Sequence, residues 1–196
     1  MSFRLTSKMK RDAFEDRGVK QGFRMEAQKK FKIAHVKLMK AFEDHPVTRE
    51  LETGGGSSRY ISKGSLFGFI GFEKGSSPVS SLRRALQGAS ILVHKPMPSS
   101  FSYTFRAKIP TDEELYALTP LPWAKGRSWL RELEGGLSNL GGYIPSSSET
   151  SRSGEGIQSS SSRAGGSIKV TDYLTGRSGL MKVFEQDLNR AGGFSK

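Results

Sequence analysis

The sequence predicts an α+β fold: a small, mostly antiparallel sheet packed by helices, with a long N-terminal helix and extended Ser/Gly-rich arms. Three observations predict it. Apolar residues recur at helical spacing through residues 19–44. Two strand-like segments, 89–94 and 100–109, are separated by the turn-forming "KPMPSS". Serine and glycine then crowd the segment after residue 144. A chain of 196 residues suits one domain with arms, and only 35 % of it is hydrophobic, with 23 glycines, so a compact body is expected beside irregular segments.

Taken in order, residues 1–18 read as a polar arm. The start, "MSFRLTSKMKRD", lacks the apolar stretch of a signal peptide. From Val19 to Asp44, Phe23, Ala27, Phe31, Ala34, Leu38 and Phe42 share one helical face. Such a helix spans about 40 Å. Its other face is basic, with Lys29, Lys30, Lys37 and Lys40 among its cations. Pro46 is expected to stop it, leaving His45 at a C-terminal end where the helix dipole favours it. "LFGFIGF" (66–72) reads as a buried strand, its glycines permitting close backbone approach.

"SSPVSSLRRALQG" predicts a helix capped by Ser77, with Pro78 in its first turn and Val79, Leu82 and Leu86 on its apolar face. "ASILVH" and the alternating "SFSYTFRAKI" predict an antiparallel hairpin. Thr111 and Glu114 frame a capping box. "TPLPW" must run extended because its prolines oppose helix. A helix is expected from about Arg127 to Leu140, with Trp129, Leu130, Leu133, Leu137 and Leu140 inward. Residues 145–163 hold nine serines and read as an irregular linker or loop. "SIKV" is a possible strand, and the tail 164–196 reads as an arm with a short amphipathic helix. The α+β domain is thus placed at 19–144.

The chain offers little for catalysis. It has no cysteine and three histidines, His35, His45 and His94, at no zinc-ligand spacing. Asp112, Glu113 and Glu114 are better explained by a helix first turn than by acid/base work. No nucleophile elbow, P-loop or dinucleotide fingerprint appears. Catalytic, cofactor and metal residues are therefore expected to be none. No run reaches the ~18–20 apolar residues of a membrane helix. The net charge is +12, and residues 1–44 supply +6 of it (12 Lys/Arg against 6 Asp/Glu). That balance suits nucleic acid or an acidic protein surface.

"LPWAKGRSWLRELEGGLSNLGGYI" (121–144) holds both tryptophans. Trp129 reads as core. Trp123 and Arg127, at an extended-to-helix junction, have the residue types of interface anchors, although sealing the core is the competing reading for Trp123.

Taken with "HPVTRELE" (45–52), "FGFIGFEKGSSPVSSLRRAL" (67–86) and "SRSGEGIQ" (151–158), this stretch resembles small virion structural proteins of tailed bacteriophages, nearest the neck and tail-completion proteins. The resemblance covers roughly residues 15–160. It implies a non-enzymatic subunit of an oligomeric ring, a head–tail connector or tail-completion component. The ring would contact portal, adaptor or tail-tube proteins in a virion assembled in the host cytoplasm. Interface candidates are Trp123, Arg127, Lys29, Lys30, Lys37 and Lys40. The alternative is a basic nucleic-acid-binding protein associated with packaged DNA.

Overall fold

A computed structural model describes residues 6–54, 58–60, 65–97, 102–136, 143–147, 155–159, 169–192 and 194–195. The fold is α+β, as the periodicities predict. The chain divides into two compact units, each assembled from separate pieces of sequence. The first comprises 1–38, 88–109 and 183–196, and the second 39–87 and 110–182. The expected single body at 19–144 is thus split between units that also recruit both presumed arms.

In the first unit, Thr6 caps helix α1 (Ser7–Glu15) by accepting from the Met9 amide. Residues 7–15 of the span read as a polar arm are therefore helical, and Phe14 is buried. Helix α2 (Arg17–Asp44) follows; its first-unit residues Ala27, Phe31, Ala34 and Leu38 are buried as their spacing requires, and Phe42, which falls in the second unit, is buried too. Strands β1 (Ser90–Met97) and β2 (Ser102–Lys108) form the expected antiparallel hairpin. Register shifts between Val93 and Pro96, at an edge strand where proline's missing N–H is tolerated.

Phe14, Ala27, Tyr103 and Phe105 form this unit's core, with Phe23, Ile91 and Phe194 packed on it. The Tyr103 ring lies 5.0 Å from Phe14 and 4.8 Å from Phe23. Its hydroxyl donates to the Phe14 carbonyl at 2.8 Å. A polar tip thus fastens α1 while the ring supplies apolar area.

In the second unit, Pro46 does end α2, but it also begins α3 (Pro46–Thr53) as its first residue. His45 is that helix's N-cap, its Nδ1 accepting from the Val47 amide at 3.2 Å. It is buried, and the C-terminal dipole role expected for it gives way to a capping role at the start of the next helix. "LFGFI" is helix α4 (Leu66–Ile70), not a strand. Ser65 Oγ accepts from the Gly68 amide, and Gly71 closes the helix at φ 86°. Its amide and that of Phe72 both return to the Phe67 carbonyl. Capping at both ends outweighs the strand-like composition of so short an apolar run.

Helix α5 (Ser80–Gln87) starts later than its sequence suggests, because Ser77 to Val79 form a preceding turn. Val79, Leu82 and Leu86 are nevertheless buried. Helix α6 (Asp112–Ala117) carries the complete Thr111–Glu114 capping box. Strands β3 (Pro120–Leu121) and β4 (Ala124–Ser128) make a second hairpin. The next helix, α7 (Trp129–Gly135), begins two residues later than expected and buries Trp129, Leu130 and Leu133. Leu137 and Leu140 lie outside the described residues.

Strand β5 (Tyr143–Ser147), which begins two residues before the presumed linker at 145–163, pairs antiparallel with β6 (Glu155–Ser159) inside it; the linker's remaining residues lie outside the described set. Of "SIKV", only Lys169 and Val170 are described, and they are not in a strand. The Val170 amide instead bonds the Leu133 carbonyl. The segment read as a tail supplies core residues Val170, Tyr173 and Leu174. Tyr173 stacks on Phe42 at 6.2 Å, and its hydroxyl meets Thr48 Oγ1 at 3.0 Å. Helix α8 (Leu180–Ala191) and the short β7 (Phe194–Ser195) follow. In the first unit, β7 pairs parallel to β2.

Candidate interaction surfaces

The β3–β4 hairpin places Trp123 in its turn and Arg127 on β4. The Trp123 indole N–H donates to the Ile70 carbonyl at 2.9 Å. One edge of the ring rests against Gly71, where an added Cβ would lie 3.2 Å from the indole Cδ1. The Arg127 guanidinium sits 5.6 Å from the ring centroid. Glu132 fixes that guanidinium through two contacts, 3.0 Å from Nε and 2.9 Å from Nη2. The same hydrogen bonding raises the Arg127 pKa.

Trp123 is neither wholly core nor wholly free. It latches the hairpin to the end of α4, and it remains 46 % exposed. Both groups are held in place by these contacts, so little side-chain freedom is left to be lost in a further contact. Trp129, by contrast, is wholly core, edge-on to Phe72 at 6.0 Å.

The four lysines lie on α2 but do not form one free basic face. Lys30 Nζ donates to the Ala191 carbonyl at 2.8 Å, at the end of α8. Lys37 lies 3.9 Å from Asp187 on the same helix. Beside them Phe31 packs against Phe184 at 5.8 Å. Lys29 and Lys40 are exposed and have no partner among the described residues. The structure thus joins Trp123 with Arg127 and ties Lys30 to α8, while Lys37 stays exposed beside Asp187.

Sequence reasoning missed the outward apolar residues of α2, namely Met25, Ile33 and Val36, all exposed. Their signal was a second set of apolar positions opposite the Phe/Ala/Leu face.

Buried polar side chains in the second unit are spent on structure. The Glu134 carboxylate accepts from the Leu174 amide at 2.7 Å, from the Thr175 amide at 2.8 Å and from the Thr175 hydroxyl. Thr119 and Ser128 hydroxyls meet at 2.7 Å. Burial pushes the His45 imidazole below its ordinary pKa, opposed by Asp172 and assisted by Arg59. The neutral form suits a nitrogen that must accept a hydrogen bond. Among the described residues, no group of three or more His, Asp or Glu side chains could hold a metal ion. No helix among them is long and apolar enough to cross a membrane.

No family model, curated protein or solved structure matches this chain. Its functional reading therefore rests on its own residues.

Proposed function

We infer that the protein is a structural assembly subunit, not a catalyst. In the finer form suggested by the four quoted stretches, it is a ring-forming component of a tailed-phage virion neck, in a head–tail connector or tail-completion layer. Portal, adaptor or tail-tube proteins would be its neighbours. The observation that carries this reading is the fixed, half-exposed Trp123–Arg127 pair. Trp and Arg are the side chains most enriched at the energetic centres of interfaces. Here both are immobilised by Ile70 and Glu132 and still face outward.

The nucleic-acid alternative draws on the +12 charge and on the exposed Lys29 and Lys40. Against it, Lys30 is engaged with α8. The Trp123 ring is also flanked by Gly71 and Arg127, which leaves it poorly placed to stack on a base.

Light scattering and negative-stain microscopy of the purified chain, with and without duplex DNA, test the choice. Closed rings without DNA are expected. A monomer that associates only when DNA is added would replace this reading with the alternative.

A further inference from the structure

The outer face of α2 carries an apolar stripe that the described fold leaves uncovered. Met25, Ile33 and Val36 are 61 %, 52 % and 57 % exposed. Lys29 and Lys32 are exposed among them. Met25, Lys29 and Val36 lie along one helical line, with Lys32 and Ile33 on either side of it. The stripe is roughly 16 Å long, taking ~1.5 Å per residue. None of the five side chains has a partner among the described residues.

Its pattern narrows the occupant. A lipid surface favours a helix whose apolar and charged residues are segregated on opposite faces. Here a lysine stands between the apolar residues on the same line, so their insertion would drag the charge with them. A phosphate backbone would use the lysines and leave three exposed apolar side chains without a role. A protein surface that combines carboxylates with apolar side chains uses all five. An antiparallel α2–α2 pairing centred near Lys29 does not provide one, because it sets the lysines of two copies against each other.

The same chain presents the complement on α6. Asp112 and Glu113 are exposed and without partners among the described residues, whereas Glu114 is occupied by the capping box. Glu113 and Ala117 are one turn apart on an outward face, opposite the buried Leu115. Leu118 follows, 41 % exposed. This surface offers two free carboxylates beside small and branched apolar groups.

We propose that the α2 stripe of one subunit docks on the α6 face of the next copy. This deepens the ring reading above and rests on it. Two different patches on each subunit make a heterologous contact, the kind that propagates head to tail and closes into a ring when the rotation permits. Lys29 and Lys32 meet Asp112 and Glu113 across it, while Met25, Ile33 and Val36 cover Ala117 and Leu118.

Charge reversal tests the docking. The variants are Lys29→Glu/Lys32→Glu, Asp112→Lys/Glu113→Lys, and the four-fold combination. All the positions are exposed, and circular dichroism with thermal melting verifies the fold of each. Sedimentation velocity then measures self-association at low and moderate salt.

Each two-fold variant should self-associate on the order of a hundredfold more weakly than wild type, because like charges then face each other. Mixing the two variants, or combining all four changes in one chain, should restore association. Oligomers that persist unchanged in both two-fold variants would overturn this contact and leave the ring reading standing. A wild-type chain that stays monomeric throughout would overturn the ring reading itself. A short DNA duplex serves as a further probe. If wild type binds it, Lys29→Glu/Lys32→Glu does not, and oligomerisation is unaffected, the stripe belongs to nucleic acid and the proposal is wrong.

Discussion

Replacing Glu134 with Ala should unfasten the 170–179 segment from α7. Glu134 is buried, and its two oxygens satisfy the amides of Leu174 and Thr175 and the Thr175 hydroxyl. Alanine leaves two amides without acceptors in surroundings where Leu174 is fully buried. Each buried, unsatisfied donor costs about 1–3 kcal/mol. The Thr175 hydroxyl keeps its contact with the Tyr116 hydroxyl at 2.7 Å, so it adds little. The sum is about 2–6 kcal/mol, or roughly 4–24 °C in melting temperature at ~2–4 °C per kcal/mol for a chain of this size. Glu134→Gln retains one carbonyl acceptor and should lose less. Urea unfolding supplies the energy, and hydrogen exchange at the Leu174 and Thr175 amides supplies the location. An alanine variant within about 1 kcal/mol of wild type, with those amides still protected, would refute the reasoning and return the segment to the status of a dispensable arm.

Four further outcomes are expected. Trp123→Ala/Arg127→Ala should impair oligomer formation while far-UV circular dichroism is preserved, with a stability loss of about 1 kcal/mol from the indole hydrogen bond; loss of the fold would place the pair in the core instead. Gly71→Ala should cost about 1–2 kcal/mol, because φ is 86° and the new methyl would press on the Trp123 ring, and the near-UV dichroism of the tryptophans should change with it. Burial lowers the folded-state pKa of His45, so the unfolded chain binds more protons below about pH 6.5. The contribution of His45 is therefore complete above that pH and falls as pH drops toward the folded-state value, and denaturation of His45→Asn, which retains a capping side chain, should show a shallower slope there. Tyr103→Phe removes the donor to the Phe14 carbonyl and should cost about 1 kcal/mol, read as faster exchange of α1 amides.

Much of the framework was legible because it repeats locally. The face of α2 from Ala27 to Phe42, the β1–β2 alternation and the Thr111 capping box all follow patterns spanning a few residues. Errors arose where the deciding partner is distant. Phe14 looks isolated in a polar stretch until Tyr103 and Phe23 pack around it. Tyr173 and Leu174 look like a tail until Phe42, Thr48 and Glu134 are beside them.

The α4 segment failed for another reason. A five-residue apolar run with glycines has no period long enough to separate strand from helix, and the caps at Ser65 and Gly71 decide it. At the candidate surfaces, composition drew attention to a Trp–Arg stretch whose two side chains the fold brings together. It could not reveal that Ile70 and Glu132 hold it, or that Lys30 is bonded to the end of α8.

The stacking of Phe42 on Tyr173 sets a timetable on the ribosome. Phe42 emerges 131 residues before its partner, counting from 42 to 173. At about 5–20 residues per second, its apolar face and that of the surrounding helices wait roughly 7–26 s for completion. Throughout that interval the nascent second unit is sticky but unfinished. The emergence of Tyr173, not the appearance of any single helix, is then the event after which this core can close. Overexpression, which raises the density of waiting chains, should favour aggregates unless synthesis is slowed or a chaperone shields the early half.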